Sequence, residues 1–369
     1  MATNWSGKSL QGIILALLLV SAGVNGQQPD FSRALQQAGQ LPRLHSLLIY
    51  YQDELVVEEY FNGRDRFQPA NMKSASKSVI SALVGIAIEQ GLIEDIRQPI
   101  AEFFPEYATD LSDIAKQAIT IEDLLTMQSG LESTSNRNYG RWVLSDNWVE
   151  FILQQPLVSK PGEEMIYSTG STHLLSAIIS RTSGMTTRDY AQRYLATPLG
   201  VSLAYWSQDP QGIYFGGNDL EMTPRAMLAF GRLYLQEGAV DQGRVLAASW
   251  VNESFQPHAT SPRGQGRFYG YGWWLRDLAD MLVPVAWGFG GQLIFVVKDY
   301  GLVVVATSDS RPGTGRRTHL SSLYDLVEAE ILWPVKRASG PLVNTESSPG
   351  RAIMPGDAMS RGNIRSSAD

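Results

Sequence analysis

The stretch Asn71-Met72-Lys73-Ser74-Ala75-Ser76-Lys77-Ser78-Val79-Ile80 decides how the rest of the chain is read. A short polar run passes directly into apolar residues at helical spacing: Val79, Ile80, Leu83, Val84, Ile86 and Ala87. That spacing predicts a buried helix stopped by Gly91. Ser74 falls in its first turn, and Lys77, three residues on, shares the serine's face. A lysine amine placed there can accept the hydroxyl proton, and a helix N-terminus favours negative charge developing beside it. Ser74 has a lysine three residues on and Ser76 does not, so Ser76 is read as helix packing. Ser-x-x-Lys is a short motif. An N-cap serine beside a surface lysine also fits it, so the chemistry needs partners elsewhere.

With 369 residues, 44% of them apolar and 18% charged, the chain is long enough for one large domain or two modest ones around a sizeable core. A formal net charge of −7 and the lack of a Lys/Arg run argue against a nucleic-acid partner. There is no cysteine, which excludes disulfides, thiol catalysis, Cys-ligated zinc and a lipidated N-terminal cysteine. At the N-terminus Lys8 precedes the apolar run Ile13 to Val20, and the small and polar residues Ser21 to Gly26 follow. This order predicts a secretory signal peptide over residues 1–26, cleaved after Gly26, and hence an exported protein, periplasmic or secreted. The run is short for a membrane span, and an uncleaved anchor is the alternative. No later stretch is long and apolar enough to cross a membrane.

Outward from the opening stretch, Ser46 to Tyr51 and Leu55 to Phe61 read as a hairpin, with a leading helix within residues 27–44. The middle of the chain is helical in pattern. Ile121 to Met127 stops at Gly130, and Asn147 to Gln154 and His173 to Thr182 follow. A further helix opens at Thr223-Pro224, with proline at its first position. Strand patterns return over Tyr269 to Leu275, Leu293 to Val297 and Leu302 to Thr307, and Leu320 to Leu332 reads as a closing helix. Strands at both ends with helices between predict an α+β fold: one antiparallel sheet built from N- and C-terminal parts, flanked by helices, with an inserted helical region. The domain is expected over 27–337, with the sheet part about 27–95 and 262–337 and the helical part about 96–261. Residues 338–369, rich in Ser, Gly, Pro and Asn, read as a disordered tail.

Two further segments carry chemistry. Tyr167, in Pro161-Gly162-Glu163-Glu164-Met165-Ile166-Tyr167-Ser168-Thr169-Gly170, is flanked by small polar residues. A phenol near a lysine ammonium has its ionised form favoured, so Tyr167 can pass a proton between the serine and a leaving group. Ala286-Trp287-Gly288-Phe289-Gly290-Gly291-Gln292 precedes a strand. Glycines at a strand edge let a substrate approach, and amides there can point at a carbonyl oxygen.

A Ser-x-x-Lys helix, a Tyr-Ser-Thr loop and a Gly-rich strand edge, in that order, resemble the serine β-lactamase-like hydrolases. That superfamily includes class C β-lactamases, penicillin-binding D,D-peptidases, family VIII esterases and 6-aminohexanoate-dimer hydrolases. Connecting phrases resemble it too: Ile119 to Leu131, Pro161-Gly162, Pro198-Leu199-Gly200, Met222-Thr223-Pro224-Arg225 and Tyr271 to Leu275. The resemblance covers roughly residues 40–335. It implies that Ser74 is acylated, that Lys77 is its activating base and that Tyr167 relays the proton. It also implies an oxyanion hole from the Ser74 amide and one strand-edge amide, that of Phe289 or of the neighbouring Gly288 or Gly290. Hydrolysis would then take two steps, without metal or organic cofactor.

Two departures from the family pattern narrow the substrate. Thr169 stands where class C β-lactamases have the Asn of Tyr-x-Asn, and Trp287-Gly288-Phe289 or Ala286-Trp287-Gly288 stands where they have Lys-Thr-Gly. Without that lysine, tight recognition of a penicillin carboxylate is not expected. The tryptophan form resembles the esterase and 6-aminohexanoate-dimer hydrolase branches, which favours a small ester or amide over a β-lactam. Thr169, Trp287, Tyr139 and Trp142 are candidate site-lining residues; the last two come from the loop Ser133 to Asp146, where plain packing is the stronger alternative for both. A Ser-His-Asp hydrolase fits poorly, because none of His45, His173, His258 and His319 lies in a catalytic phrase and no G-x-S-x-G elbow is present. The other rivals are a β-lactamase or D,D-peptidase, and a secreted binding protein that kept the fold without the reaction.

Overall fold

The computed structural model describes residues 28–339. The expected signal peptide and almost all of the expected tail lie outside the described residues. Of the expected tail, Ala338 and Ser339 close the helix Trp333–Ser339.

Helix α1, Ser32–Ala38, leads into strands β1, Leu44–Tyr51, and β2, Glu54–Tyr60. Gln52 and Asp53 join the two strands with φ of 46° and 66°, the left-handed pair that a two-residue hairpin turn requires. Next comes the quoted stretch. Lys73–Ala75 form a 3₁₀ turn, and helix α2 runs from Ser76 to Glu89. Every residue from Ser76 to Ala87 is buried, so α2 is a central helix, as its apolar spacing predicts. Ser74 differs from expectation in standing on the tighter turn just ahead of α2.

The insertion carries α3, Ile121–Leu125, whose N-cap Thr120 and Asp123 form a reciprocal capping box. Asn147 caps α4, Trp148–Leu153. Helix α5 spans Thr169–Ser183 and ends at Gly184 with φ 66°. It begins four residues before its expected start at His173, so Thr169 opens the helix and does not sit in a loop. Helix α6, Pro224–Leu235, has Thr223 as its N-cap and proline in its first turn, as expected.

The chain then returns to the sheet with β3, Ala259–Thr260, β4, Arg267–Tyr269, β5, Trp274–Leu278, β6, Met281–Gly288, β7, Gln292–Val297, and β8, Leu302–Ser308. Helix α7, Arg316–Val327, follows. The eight-stranded order is β2-β1-β8-β7-β6-β5-β4-β3, with every neighbouring pair antiparallel. Strands from the two ends meet where β1 pairs with β8, with Leu48 opposite Val305. This is the α+β architecture read from the sequence. Two details differ. The run Tyr269 to Leu275 is not one strand: the chain turns through Gly270 to Trp273, and the Gly270 amide donates to the Trp273 carbonyl at 2.9 Å. Strand β6 was not anticipated, so the Trp287-Gly288 pair ends a strand of its own and does not merely precede β7.

Alternation along the central strands separates two cores. Leu48, Tyr50, Ile294, Val296, Val303 and Val305 face α2, α5 and α6. Leu47, Ile49, Leu293, Phe295, Val304 and Ala306 face α1 and α7. Burying both faces explains why β7 and β8 read as unbroken apolar runs.

Candidate active site

The 3₁₀ turn holding Ser74 lies against the end of the sheet. At Gly288 a Cβ would stand 2.1 Å from the Met72 carbonyl oxygen, so only glycine lets strand β6 end this close to the serine's turn. Gly272 plays the same part from the β4–β5 turn, where a Cβ would meet the Lys77 carbonyl oxygen at 2.8 Å. The Ser78 hydroxyl donates to the Gly272 carbonyl at 2.7 Å and pins that turn to α2.

Lys77 is 1% exposed. Its Nζ stands 3.4 Å from Ser74 Oγ and 3.4 Å from Thr169 Oγ1, and it donates to the Gly217 carbonyl at 2.6 Å. No carboxylate among the described residues neutralises it, and burial brings its pKa down to about 7. A substantial fraction of the amine is therefore neutral near pH 7 and able to accept a proton. Ser74 itself is only partly buried, so a substrate can reach it.

Tyr167 lies on the segment entering α5. The Ser133 hydroxyl donates to its carbonyl at 2.8 Å, and the Thr169 amide donates to Ser135 Oγ at 2.9 Å. Its ring stacks on Trp274 with centroids 5.5 Å apart, and Lys77 Nζ lies 5.1 Å from its centroid. The phenolic oxygen is enclosed, without a well-formed hydrogen bond among the described residues. Burial pushes its pKa up to about 12, with the Ser74 hydroxyl and the more distant Arg263 opposing that rise. This corrects the expectation of a favoured phenolate. The ammonium sits over the ring face and not at the oxygen, so desolvation wins and the resting group is a neutral phenol.

At the strand edge Phe289, Gly290 and Gly291 turn the chain from β6 to β7, with φ of 89° at Gly290 and 101° at Gly291. The amides of Ser74 and Phe289 donate to no acceptor among the described residues. The Arg316 guanidinium covers the Phe289 ring at 3.9 Å. Thr169 is buried and bonded to Ser135 Oγ at 2.9 Å beside Lys77, so it steadies the lysine's surroundings. Tyr139 is half-buried and accepts a hydrogen bond from Asn218 at 3.2 Å, next to the residue that binds Lys77. Trp142 is corrected: it is fully buried, packs on Trp148 and Phe215 and donates to the Trp148 carbonyl, so it lines no site.

Some features of the site gave no signal in the sequence. Gly217 acts through a backbone carbonyl. Ser133 and Ser135 belong to a loop noted only for Tyr139 and Trp142. A cleft of about 580 Å³ adjoins Tyr167 and Trp287, and Arg263, Arg267, Arg276, Arg316 and Arg317 line it with Asp277, Asp325 and Glu328. Among the described residues none of these arginines is in an ion pair. They come from a loop, two strands and a helix, and so form no run in the sequence. No group of histidine and carboxylate side chains suited to a metal ion occurs among the described residues, and no helix there is long and apolar enough to cross a membrane.

An antiparallel sheet interrupted by a helical insertion, with serine, lysine and tyrosine meeting where the two parts join, defines the β-lactamase/transpeptidase class of fold. The model of the Beta-lactamase family matches residues 33–328, and the chain belongs to that family of hydrolases. It is 26% identical over 240 residues to a 6-aminohexanoate-dimer hydrolase of Paenarthrobacter ureafaciens, a match covering 60% of this chain and 59% of that protein. The chain spans about three-fifths of the length of the curated relatives it matches. Among solved structures, EstCE1, a hydrolase with promiscuous acyltransferase activity, aligns with a TM-score of 0.68 and 17% identity, covering 81% of this chain and 98% of that one. A penicillin-binding protein homologue from Pyrococcus abyssi aligns with a TM-score of 0.59 and 17% identity, covering 80% and 74%. At these identities the two structures speak for the fold.

Proposed function

We propose that the protein is a serine hydrolase that cleaves small ester or amide bonds through an acyl-enzyme on Ser74. The observation that carries this reading is the buried Lys77 amine, its pKa brought to about 7, standing 3.4 Å from the Ser74 hydroxyl. In acylation Lys77 takes the hydroxyl proton as Ser74 Oγ bonds to the substrate carbonyl carbon. The Ser74 and Phe289 amides receive the negative charge that develops on the carbonyl oxygen. The bond to the leaving group breaks, and that group takes a proton from the Tyr167 phenol, which Lys77 re-protonates. Water then attacks the ester on Ser74, giving up a proton to the same pair, which returns it to Ser74 Oγ as the bond to the acyl carbon breaks and the acid leaves. The likeness to a 6-aminohexanoate-dimer hydrolase and to EstCE1 supports ester or small-amide substrates. The N-terminal pattern Lys8, Ile13 to Val20, Ser21 to Gly26 supports export, with 27–337 as the hydrolase domain.

A second reading, hydrolysis of β-lactams or D-Ala-terminated peptides, is favoured by the five arginines beside Tyr167. They offer a substrate carboxylate the positive charge that the absent Lys-Thr-Gly lysine would have supplied. A substrate panel separates the readings. Short-chain p-nitrophenyl esters are expected to turn over faster than nitrocefin, and nitrocefin turning over far faster than any ester would favour the second reading. In the same assay Tyr167→Phe is expected to lower turnover by ~10²–10⁴-fold. Undiminished activity would remove Tyr167 from proton transfer. If neither a fluorophosphonate nor a penicillin adds mass at Ser74, the protein is a non-catalytic binding protein of this fold.

A further inference from the structure

Two residues in left-handed backbone conformation flank the chemistry just described, and they hold each other. Lys73, with φ 51°, immediately precedes Ser74, and Asp219, with φ 59°, stands two residues beyond Gly217. A side chain bearing Cβ is strained in that region and stays there only where its surroundings hold it. The holding contacts are specific. Lys73 Nζ lies 3.0 Å from Asp219 Oδ1, Asn71 Nδ2 donates to the same oxygen at 2.9 Å, and the Lys73 amide donates to Asn71 Oδ1 at 2.9 Å. The pair is sheltered, with side-chain exposures of 26% and 28%. Asn71, Lys73 and Asp219 thus tie the turn carrying Ser74 to the loop carrying Gly217, whose carbonyl takes the Lys77 amine at 2.6 Å. On its other side that loop is pressed onto α5: a Cβ at Gly217 would stand 2.6 Å from Thr169 Cγ2.

We propose that Lys73 and Asp219 are a positioning pair, which holds the Gly217 carbonyl on Lys77 and keeps water from that amine, and so sets the pH at which Lys77 is ready to take the proton of Ser74. The inference rests on Lys77 being the base. The groups facing Lys77 are the Ser74 hydroxyl from the preceding turn, the Tyr167 ring, the Thr169 hydroxyl from α5 and the Gly217 carbonyl. Farther out stand Lys73 and Asp219 themselves, with Glu221 close enough to feel both charges. None of the inner groups carries a charge at neutral pH, so exclusion of water dominates the amine's proton affinity. Cutting the pair frees the loop and lets water in, and Lys77 then keeps its proton to higher pH.

The test uses the full chain as wild type, Lys73→Gly, Asp219→Asn and Lys73→Arg. Glycine adopts the left-handed conformation without strain, so Lys73→Gly removes the ion pair while sparing the fold. Two midpoints are read: the acid limb of kcat/KM for p-nitrophenyl acetate, and the ¹⁵N titration of the Lys77 amine by NMR, assigned with Lys77→Arg. Both are expected to rise by about one pH unit or more in Lys73→Gly and Asp219→Asn, with activity at neutral pH falling about fivefold and recovering two units higher. Lys73→Arg is expected to keep the wild-type midpoint. Midpoints unmoved in both pair-breaking variants, with activity lowered equally at every pH, would overturn the proposal and leave the pair a merely structural contact. If the wild type shows no Ser74-dependent turnover, the hydrolase reading fails, and the NMR midpoint alone decides whether the pair sets the amine's titration.

Discussion

Ser74→Ala is expected to abolish turnover of short-chain p-nitrophenyl esters, lowering kcat by on the order of 10⁴–10⁶-fold. Without Oγ no bond to the acyl carbon can form, and what remains is substrate binding and whatever the free amides at Ser74 and Phe289 add to attack by water. Fold and stability should be spared. Ser74 is only partly buried, and its hydroxyl meets only the other members of the site, the Lys77 amine at 3.4 Å and the Tyr167 phenol. The variant should also gain no mass from a fluorophosphonate, whereas the wild type gains one adduct. Full activity in Ser74→Ala would refute the nucleophile assignment, because Ser76 cannot take over: its hydroxyl is buried and donates to the Lys73 carbonyl at 2.6 Å.

Lys77→Met is expected to lower kcat/KM by ~10²–10⁴-fold, the range of a lost general base. In the wild type the acid limb of kcat/KM should fall near the pH at which the buried amine titrates, about 7, because the amine must be neutral to accept the serine's proton. Methionine has nothing to titrate, so that limb should vanish from the residual activity. Stability carries an independent signature. The folded-state pKa lies below the ordinary lysine value of 10.5, so below about pH 7 both states hold the proton and the cost of burying charge is present in full. Between those two values the unfolded chain binds more protons than the folded one, so this group makes the wild type more stable as pH rises. Lys77→Met removes that dependence. Its stability relative to the wild type should therefore be greatest near pH 6 and decline toward pH 10, as read by denaturation midpoints. The unpaired Gly217 carbonyl subtracts about 1–3 kcal/mol from the variant at every pH and leaves the trend intact. A stability difference that does not change with pH would mean that Lys77 does not titrate as a buried amine.

Local spacing carried much of this site. A serine and a lysine three residues apart at the head of an apolar helix must share a face, whatever the rest of the chain does. Tyr167 was legible from its place between small polar residues and a buried helix, and Gly288 from its place at a strand edge. What could not be read are contacts made by groups without a side-chain signature, or by residues far apart in the chain. The Gly217 carbonyl is a backbone atom, and its meeting with Lys77 depends on the loop seated against Thr169 and Thr172. From the sequence Trp142 is a candidate contact in a loop that could line the site, with plain packing the stronger alternative. In the fold it fills the space among Trp148, His173 and Phe215. Strand β6 escaped notice because Met281, Pro284 and Gly288 break the β-rich pattern. Pro284, without an N–H to donate, lies where β6 pairs with β5 alone, because the ladder to β7 begins at Val285.

The sequence by itself determined that the chain is an α+β protein with strands at both ends, that α2 is buried, and that Ser74 and Lys77 stand on one face. These follow from periodicities of two and of about 3.6 residues, which depend on backbone geometry alone. Tertiary structure decided the protonation states. Packing from several elements strips water from Lys77 until its amine titrates near neutral pH. The same enclosure holds the Tyr167 phenol neutral, although a nearby lysine ammonium had suggested the reverse. Desolvation is summed over every neighbour in space, whatever its distance along the chain, and that sum exists only once the chain has folded.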